Sequence, residues 1–270
     1  MERSATRLGV VGWPVAHSRS PAIQNRALAA VGLSAWRYQL LPVPPELFAE
    51  TVRALPEAGF RGVNVTIPHK QAALALATAP TSRARGIGAA NTLLFEADGR
   101  IVADNTDAPG LIAALPFAPA GRSALVLGAG GSARAVVWAL LDAGASQVRI
   151  WNRTPERARA LAADLGGVPV DHAEPADLLV HCTASGLGAG QDAFGTLPIG
   201  ADDVRNYECV VDLVYGDAET PLVQAARARR IPVVGGRELL VQQGALSFEL
   251  FTGRPAPTDL MRRAVAARRA

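Results

Sequence analysis

Lysine is almost absent from this 270-residue sequence. Lys70 is the single lysine among 27 basic residues, and the other 26 are arginines. Because arginine supplies the positive charge everywhere else, position 70 raises the question of what an amine does there that a guanidinium cannot do. The net charge of +3 comes from arginines spread along the chain with little aromatic interleaving. Charge therefore gives no indication of nucleic-acid binding.

Cysteine, metal-binding patterns and long apolar segments are also scarce. The two cysteines, Cys182 and Cys209, have no CxxC spacing and are expected to be buried thiols. The four histidines show no HExxH spacing, so no metal is expected. No apolar run approaches the about 20 residues of a membrane span, and MERSATRLGVVG at the N-terminus lacks the apolar segment of a signal peptide. We therefore expect a cytoplasmic protein that binds no membrane, either a monomer or a homodimer.

Short β-rich segments alternate with Ala-, Leu- and Arg-rich segments of helical length, which predicts an α/β fold with mostly parallel sheets. A second series of strands and helices starts at SALVLGAGGSARAVVWALLDAG and continues through QVRIWN, DLLVHCT, CVVDLVY and IPVVGG. This restart predicts two domains, and we expect the last helices to return to the first of them. In the first series, strands are predicted near 8–12, 36–41, 61–66 and 91–95.

A glycine-rich turn, GAGGSARA at 128–135, directly follows the strand SALVL and opens a helix. Glycines there let the backbone turn tightly and approach a pyrophosphate, whose charge lies at the helix N-terminus. A strand-to-helix turn that binds nothing is the alternative. The dinucleotide interpretation predicts a Rossmann-type domain with cofactor contacts from Gly128, Ala129, Gly130, Gly131 and Ser132.

The segment after the next strand, WNRTPER, indicates which dinucleotide binds. NAD-binding units carry an acidic residue near this place, which would repel a 2′-phosphate. Asn152 occupies it here, followed by Arg153 and, one helical turn on, Arg157, and two guanidinium groups favour NADP. The alternative is that the segment only starts a helix, with Thr154 as N-cap and Pro155 at N1. Both interpretations hold together if capping uses Thr154 and leaves the arginines free.

Lys70 follows the predicted strand RGVNVT and Pro68, which places it in the first turn of a helix. A cation is unfavourable there, because it meets the positive end of the helix dipole. The same field, with partial burial, favours an amine that can exchange its proton, which a guanidinium does not do. Spacing alone leaves open both a functional lysine and a chance occurrence.

Further polar residues at helix starts predict a site for a small acid. Asp107, in ADNTDAPG, is expected in a first helical turn, either as a capping residue or as a carboxylate that shares proton transfer with Lys70. Two serines flank the helix start before Pro21 and form a hydroxyl and amide cluster suited to a carboxylate, while His17 is expected to be a hydrogen-bonded structural residue. Neutral groups typical of sites for polyhydroxylated ligands come from Asn64, Thr66 and Asn91.

The order of these motifs closely resembles the shikimate dehydrogenase family. The matching segments are GWPVAHSRSPAIQN, GVNVTIPHK, GAANT, NTDAPG, GAGGSARA and NRTPER, with DLVYGDAETPL and GRELLVQQGALSFELFTG later in the chain. The resemblance spans nearly the whole chain and implies a substrate-binding domain of residues 1–103 plus 237–270 and an NADP-binding domain of residues 104–236. It implies a reversible, metal-free reduction of 3-dehydroshikimate to shikimate by NADPH, a step of aromatic amino acid biosynthesis.

The resemblance also implies a role for each site residue. Lys70 and Asp107 are implied to be the catalytic pair, and Ser18 and Ser20 to hold the substrate carboxylate. The implied contacts to the ring hydroxyls are Asn64, Thr66, Asn91, Tyr215 and Gln243. The implied cofactor contacts beyond the glycine-rich turn are Asn152, Arg153, Thr154, Arg157 and Thr183, with Leu213 and Gly236 against the nicotinamide.

The chain departs from the family pattern at His181, which precedes Cys182 and Thr183, because the family commonly has Asn there. Gln24 stands where many relatives have His, and Arg83 lies where relatives often carry acidic residues, so we assign it no role. Two alternatives stay open. One is a quinate/shikimate or aminoshikimate dehydrogenase of the same family, and the other is a noncatalytic NADP-binding sensor.

Overall fold

The computed structural model describes residues 6–183, 194–216 and 218–267. The chain divides into two compact units, the first of Met1–Asp107 with Leu240–Ala270 and the second of Ala108–Leu239. The divisions predicted after residues 103 and 236 lie a few residues before these. Each unit has its own sheet and its own hydrophobic core, and the α/β class predicted from the sequence is confirmed.

The first unit is built on a sheet of six strands. They are β1 (Arg7–Gly12), β2 (Arg37–Pro42), β3 (Phe60–Val65), β4 (Ala79–Pro80), β5 (Thr92–Phe95) and β6 (Ile101–Asp104). Their order across the sheet is β2-β1-β3-β5-β6-β4. β1 pairs in parallel with β2 and β3, β4 pairs in parallel with β6, and β5 pairs antiparallel with both β3 and β6.

The strands β4 and β6 were not among those predicted from the sequence. β6 follows β5 through a turn in which the N–H of Glu96 donates to the carbonyl of Arg100, and Gly99 has the positive φ of 83° that this turn needs. Its four residues are too few to show a period of two, and β4 has only two residues. Short strands of this kind are held by their neighbours in the sheet.

The last two helices complete the first unit. α10 (Thr258–Ala266) packs against α1 (Ser20–Ala30). The buried guanidinium of Arg19 donates to the carbonyls of Val265 at 3.0 Å and Ala267 at 2.8 Å. Gly62 of β3 lies so close to α9 that a Cβ would be 2.7 Å from the Phe251 ring. The helices with residues in this unit are α1 (Ser20–Ala30), α2 (Phe48–Ala54), α3 (Lys70–Leu76), α4 (Ser82–Ile87), α5 (Asp107–Ala114), α9 (Gly236–Thr252) and α10 (Thr258–Ala266).

The second unit has a sheet of its own. Its elements are β7 (Ser123–Leu127), α6 (Gly131–Asp142), β8 (Gln147–Trp151), α7 (Pro155–Leu165), β9 (Val168–Pro169), β10 (Leu178–His181), β11 (Cys209–Asp212), α8 (Pro221–Ala228) and β12 (Val233–Gly235). The strand order is β12-β11-β10-β7-β8-β9, and every neighbouring pair is parallel. The chain runs outward from β7 to β9 and then returns to start β10 on the other side of β7. In sheets of this kind ligands bind at the carboxyl ends of the strands where the order reverses.

The structure also bears on membrane spans, metals and thiols. Among the helices described, none combines the length and apolar character needed to cross a bilayer. Within residues 6–183, 194–216 and 218–267, no three His, Cys, Asp or Glu side chains are grouped so that they could hold a metal ion. Both cysteines are free thiols. Cys209 is buried, which raises its pKa to about 11, whereas Cys182 is only half-buried.

Candidate active site

Lys70 and Asp107 form an ion pair in the first unit. Nζ of Lys70 donates to Oδ2 of Asp107 at 2.6 Å, and the two side chains are 9% and 21% exposed. Each is the first residue of its helix, α3 or α5, and thus lies in the first turn that the sequence predicts. The carboxylate stabilises the ammonium where the start of α3 disfavours a cation. The pair thus joins a proton donor and an acceptor that still contact solvent.

Asn91, which directly precedes β5, is hydrogen-bonded to Asp107 and to the residue before it. Its Nδ2 donates to Oδ1 of Asp107 at 2.8 Å and lies 3.5 Å from Oε1 of Gln243, and its Oδ1 accepts from the N–H of Thr106 at 2.8 Å. The carbonyl of Lys70 accepts from the N–H of Ala90 at 2.8 Å, so the start of α3 lies against the GAANT segment. Four of the predicted site residues therefore lie in one hydrogen-bonded cluster: Lys70, Asn91, Asp107 and Gln243.

Arg83 holds the segment that ends in Asp107, and the sequence assigned it no role. Its guanidinium makes two bonds to the buried carboxylate of Asp104, Nε to Oδ1 at 3.1 Å and Nη2 to Oδ2 at 2.6 Å. Asp104 also accepts from the hydroxyl of Thr81 and the N–H of Asn105. The Asn105 side chain then accepts from the N–H of Asp107 at 3.1 Å, which fixes the start of α5. No local pattern reveals this pairing, because Arg83 and Asp104 belong to different elements.

Asn64, at the end of β3, is buried and its amide is already bonded to the protein. Its Oδ1 accepts from the hydroxyl of Tyr38 at 2.8 Å and of Ser247 at 3.3 Å, and its Nδ2 donates to Oγ1 of Thr92 at 3.1 Å. Tyr38 and Ser247 were not predicted from the sequence. Asn64 thus supports neighbouring residues as well as being a candidate for binding substrate.

Ser18 and Ser20 lie together at the start of α1. The hydroxyl of Ser18 lies 3.2 Å from that of Ser20, and the N–H of Ser20 donates to it at 3.2 Å. That bond takes up the N–H of Ser20, Pro21 has no N–H, and the N–H groups of Ala22 and Ile23 donate to the carbonyl of Arg19 at 3.1 and 3.3 Å. The amide part of the predicted cluster is therefore already bonded within the chain, and the hydroxyls remain as candidates for binding an acid. His17 is exposed, and in the part of the chain that the structure describes it makes no hydrogen bond. The expectation that His17 is a hydrogen-bonded structural residue is therefore wrong.

Thr66 lies beside the segment that leads to the serines. A Cβ on Gly12 would come within 2.4 Å of Cγ2 of Thr66, and the N–H of Thr66 donates to the carbonyl of Val11 at 2.9 Å. Only glycine permits this approach of β1 and the residue after β3. The sequence predicts a substrate contact for Thr66, and the structure leaves its side chain half-buried.

His69 supports Lys70 from the preceding position. Its ring stacks on Phe48 with centroids 4.4 Å apart, and its Nε2 lies 2.7 Å from the carbonyl of Val43. Burial lowers the pKa of His69 below the usual 6.5, and the bond to Val43 offsets this only in part. The neutral imidazole is therefore the form that the folded protein stabilises.

Replacing His69 by glutamine should cost less stability in acid than at neutral pH. The unfolded chain takes up a proton near pH 6.5, whereas the folded protein does so only at lower pH. The contribution of His69 to folding is thus fully present above pH 6.5 and is lost as the pH falls below it. Urea unfolding of wild type and His69→Gln at about pH 8 and about pH 5.5 measures this difference, with His17→Gln as the exposed control. A penalty of equal size at both pH values would contradict the prediction.

The glycine-rich turn of the second unit fits a pyrophosphate. Gly128 has a φ of 121° and a Cβ there would lie 3.2 Å from the backbone of Cys182, so the position requires glycine. Gly130 faces open space, and no side chain among the described residues caps α6. Phosphate oxygens can therefore reach the backbone and the first amides of α6. The remaining predicted contacts of the turn, Ala129, Gly131 and Ser132, are half-buried there.

The two arginines after β8 are exposed. In the described residues, neither Arg153 nor Arg157 makes a side-chain hydrogen bond or ion pair, whereas Arg159 on the same helix pairs with Glu156. Thr154 is the N-cap residue of α7, as predicted, but its hydroxyl makes no capping bond. The prediction that capping uses its side chain is wrong, because Asn152 holds the turn instead by donating from Nδ2 to the carbonyl of Thr154 at 2.9 Å.

The other predicted contacts of the second unit follow β10 and β11. Thr183 comes two residues after β10, and Leu213 directly follows β11 and donates from its N–H to the carbonyl of His181 at 3.0 Å. Gly236 begins α9, where a Cβ would lie 2.6 Å from the carbonyl oxygen of Leu213. Tyr215 is half-buried in the loop after β11. It belongs to the second unit, whereas the other predicted substrate contacts belong to the first.

Comparison with known proteins identifies the family to which this chain belongs. Residues 10–93 match the description "Shikimate dehydrogenase substrate binding domain", residues 114–186 "Shikimate / quinate 5-dehydrogenase" and residues 236–266 "Shikimate 5'-dehydrogenase C-terminal domain". The shikimate dehydrogenase (NADP(+)) of Paracoccus denitrificans is 44% identical, over 98% of this chain and 97% of that protein. The chain belongs to the shikimate dehydrogenase family.

Solved structures agree with this family membership. A shikimate 5-dehydrogenase from Thermus thermophilus, in complex with NADP(H) and shikimate, is 40% identical and superposes with a TM-score of 0.84 over 96% of this chain and 98% of that chain. A ligand-free 5-ketofructose reductase of Gluconobacter sp. is 26% identical, with a TM-score of 0.84 over 98% of this chain and 99% of that chain. The same architecture thus also occurs in a protein named for a different ketone.

Proposed function

We propose that this chain catalyses the reversible, NADP-dependent reduction of 3-dehydroshikimate to shikimate. The observation that carries the proposal is the ion pair of Lys70 and Asp107, bonded to Asn91, in a member of this family. Most of each side chain is withdrawn from water, and both groups can exchange protons. A ketone reduction needs such a group at the carbonyl oxygen.

Lys70 is the residue that handles the proton in this proposal. NADPH, when bound, would supply hydride to the carbonyl carbon, and NADP⁺ would accept it in the reverse direction. The Lys70 ammonium donates a proton to the carbonyl oxygen, and its amine takes the hydroxyl proton back during oxidation. Asp107 holds the amine in place at 2.6 Å. A guanidinium would supply charge at this point but would not give up its proton, which answers the question raised by the single lysine.

The remaining residues of the first unit bind the acid. The hydroxyls of Ser18 and Ser20 bind the carboxylate. The ring hydroxyls are bound by polar side chains of this unit: Asn64, Thr66, Asn91 and Gln243. The first unit is therefore the substrate-binding domain of the proposal.

The second unit binds NADP in this proposal. Gly128 to Ser132 surround the pyrophosphate, and Arg153 and Arg157, with Asn152 and Thr154, take the 2′-phosphate. The freedom of the two arginines from other partners, within the described residues, supports this assignment. Thr183, Leu213 and Gly236 bind the nicotinamide end.

A direct assay tests the function. Purified protein is mixed with NADP⁺ or NAD⁺ and with shikimate or quinate, and the absorbance of the reduced cofactor is followed. We expect the highest kcat/KM with NADP⁺ and shikimate. Faster oxidation of quinate would favour the quinate/shikimate alternative, and binding of NADP without turnover would favour the sensor.

The family comparison adds one control to this assay. Because a more distant relative is named a 5-ketofructose reductase, that ketone is included in the reduction direction with NADPH. Turnover of 5-ketofructose above that of 3-dehydroshikimate would overturn the proposed substrate. The cytoplasmic location, the monomeric or homodimeric state and the lack of a nucleic-acid partner remain part of this proposal.

A further inference from the structure

A buried hydrogen-bond network lies beside the glycine-rich turn, and the function proposed above uses only its last member, Thr183. His181, the last residue of β10, is 1% exposed. Its Nδ1 lies 2.9 Å from Oδ1 of Asp212, the last residue of β11, and its Nε2 lies 2.6 Å from Oγ1 of Thr183. Asp212 is fully buried. A carboxylate, an imidazole and a hydroxyl therefore form a continuous chain at the carboxyl ends of two adjacent strands.

The surroundings of Asp212 set the direction of the hydrogen bonds. Its Oδ1 also accepts from the N–H of Val214 at 2.9 Å, and its Oδ2 accepts from the hydroxyl of Thr220. In the tautomer that carries the ring proton on Nδ1, His181 donates to this carboxylate and Nε2 is an acceptor. The hydroxyl of Thr183 then donates to Nε2, so its orientation is fixed.

Thr183 lies where the sheet order reverses. β10 and β7 are neighbours, and the chain continues from β7 to β8 toward one edge of the sheet and from β10 to β11 toward the other. A Cβ on Gly128, at the end of β7, would lie 3.3 Å from Cγ2 of Thr183. The threonine therefore borders the first glycine of the turn that fits a pyrophosphate, at the place where parallel sheets bind dinucleotides.

We propose that His181 is a positioning residue for the cofactor. Backed by Asp212, it turns the proton of the Thr183 hydroxyl inward, so that Oγ1 presents lone pairs to a hydrogen-bond donor on NADP. That donor is either the carboxamide N–H of the nicotinamide or a ribose hydroxyl. The inference rests on the proposed function only in taking NADP as the ligand.

The test is a double-mutant cycle on cofactor binding. Dissociation constants of NADPH are measured by fluorescence titration for wild type, His181→Asn, Thr183→Val and the double variant. Asparagine keeps an N–H for Asp212 but offers Thr183 no ring nitrogen. We expect each single variant to bind NADPH roughly three- to tenfold more weakly, the range of one hydrogen bond, and the double variant to bind no more weakly than Thr183→Val. Additive losses, or unchanged binding in both single variants, would overturn the proposal.

Matched variants separate positioning from folding. Thr183→Ser keeps the hydroxyl and should restore wild-type affinity. His172→Asn makes the same replacement in the same unit at a side chain that is 80% exposed, and it should bind NADPH normally. Thermal unfolding is followed for each variant. If NADPH affinity falls only in proportion to thermal stability, and Thr183→Ser fails to recover it, the network is structural and the inference is wrong.

A cofactor analogue identifies the donor. In the 3-acetylpyridine analogue of NADPH, a methyl ketone replaces the carboxamide, so the N–H is missing. If the carboxamide is the donor, the penalty of Thr183→Val disappears with this analogue, measured by displacement of NADPH. An equal penalty with both cofactors excludes the carboxamide N–H. If positions 181 and 183 are coupled in the cycle, this result identifies a ribose hydroxyl as the donor. Without that coupling it overturns the inference, because a Thr183 hydroxyl that donates to the carbonyl oxygen, which both cofactors carry, gives the same equal penalty.

The binding cycle distinguishes the two possible failures. NADPH binding that shows the expected coupling, in a protein that does not oxidise shikimate, would remove the proposed function and leave this inference in place. Normal oxidation of shikimate without coupling between positions 181 and 183 would do the reverse.

Discussion

Replacing Lys70 by alanine should lower kcat for shikimate oxidation about 100- to 10,000-fold, the range that a positioned proton-transfer group contributes. The KM for shikimate should change little, because the carboxylate and the ring hydroxyls are bound by other residues. Asp107 keeps its bond to Asn91 and remains partly exposed to solvent, so the variant should fold. Steady-state kinetics with thermal unfolding measure both effects.

Two further replacements at position 70 separate charge from proton transfer. Lys70→Met keeps most of the stem and removes the amine, so it should match the alanine variant. Lys70→Arg restores a positive charge opposite Asp107, but a guanidinium stays protonated, so turnover should remain low. If Lys70→Arg recovered most of the wild-type kcat, the lysine would act through its charge alone. Near-normal turnover of Lys70→Ala would remove it from the mechanism.

Replacing Arg153 and Arg157 together by serine should remove the preference for NADP⁺. Each charge-assisted hydrogen bond to a phosphate is worth about 1.5–3 kcal/mol, which corresponds to about tenfold or more in affinity. The KM for NADP⁺ should therefore rise at least about 100-fold in the double variant, while the KM for NAD⁺ stays near its wild-type value. Kinetics with both cofactors at saturating shikimate measure the change.

Arg159→Ser is the matched control for this prediction. Arg159 lies on α7 as Arg157 does, but its guanidinium pairs with Glu156. Its loss should leave the KM for NADP⁺ unchanged. If the double variant kept its preference for NADP⁺, or if Arg159→Ser weakened binding equally, Arg153 and Arg157 would not be the 2′-phosphate site. Strong preference of the wild type for NAD⁺ would contradict the prediction at once.

Local sequence patterns predicted the positions from which the candidate site is built. Pro68 and the strand before it predict a helix start at Pro68 with Lys70 in the first turn, and α3 begins two residues later, at Lys70 itself. Asp107 begins α5 in the same way. The glycine-rich turn joins β7 to α6 as expected. These predictions succeed because a helix start and a strand-to-helix turn are decided by a few adjacent residues.

The bonds that orient the site residues could not be predicted. Arg83 reaches Asp104 on another element, and Tyr38 reaches Asn64 in the same way. His181 pairs with Asp212, which lies 31 residues further along the chain. Such pairs depend on strand order and register, and a local sequence pattern predicts neither. The missing cap at Thr154 has a different origin, because a hydroxyl at an N-cap position caps only if its rotamer allows it.

The packing of α9 against β3 and of α10 against α1 also constrains the order in which the protein can fold during synthesis. Residues 108–239 are continuous in sequence and can form their sheet as soon as they leave the ribosome. The strands of residues 1–107 are made earlier, but Gly62 and Arg19 meet their partners only when Phe251 and Val265 have been translated. Lys70 thus belongs to the unit whose synthesis begins first and whose folding is completed last.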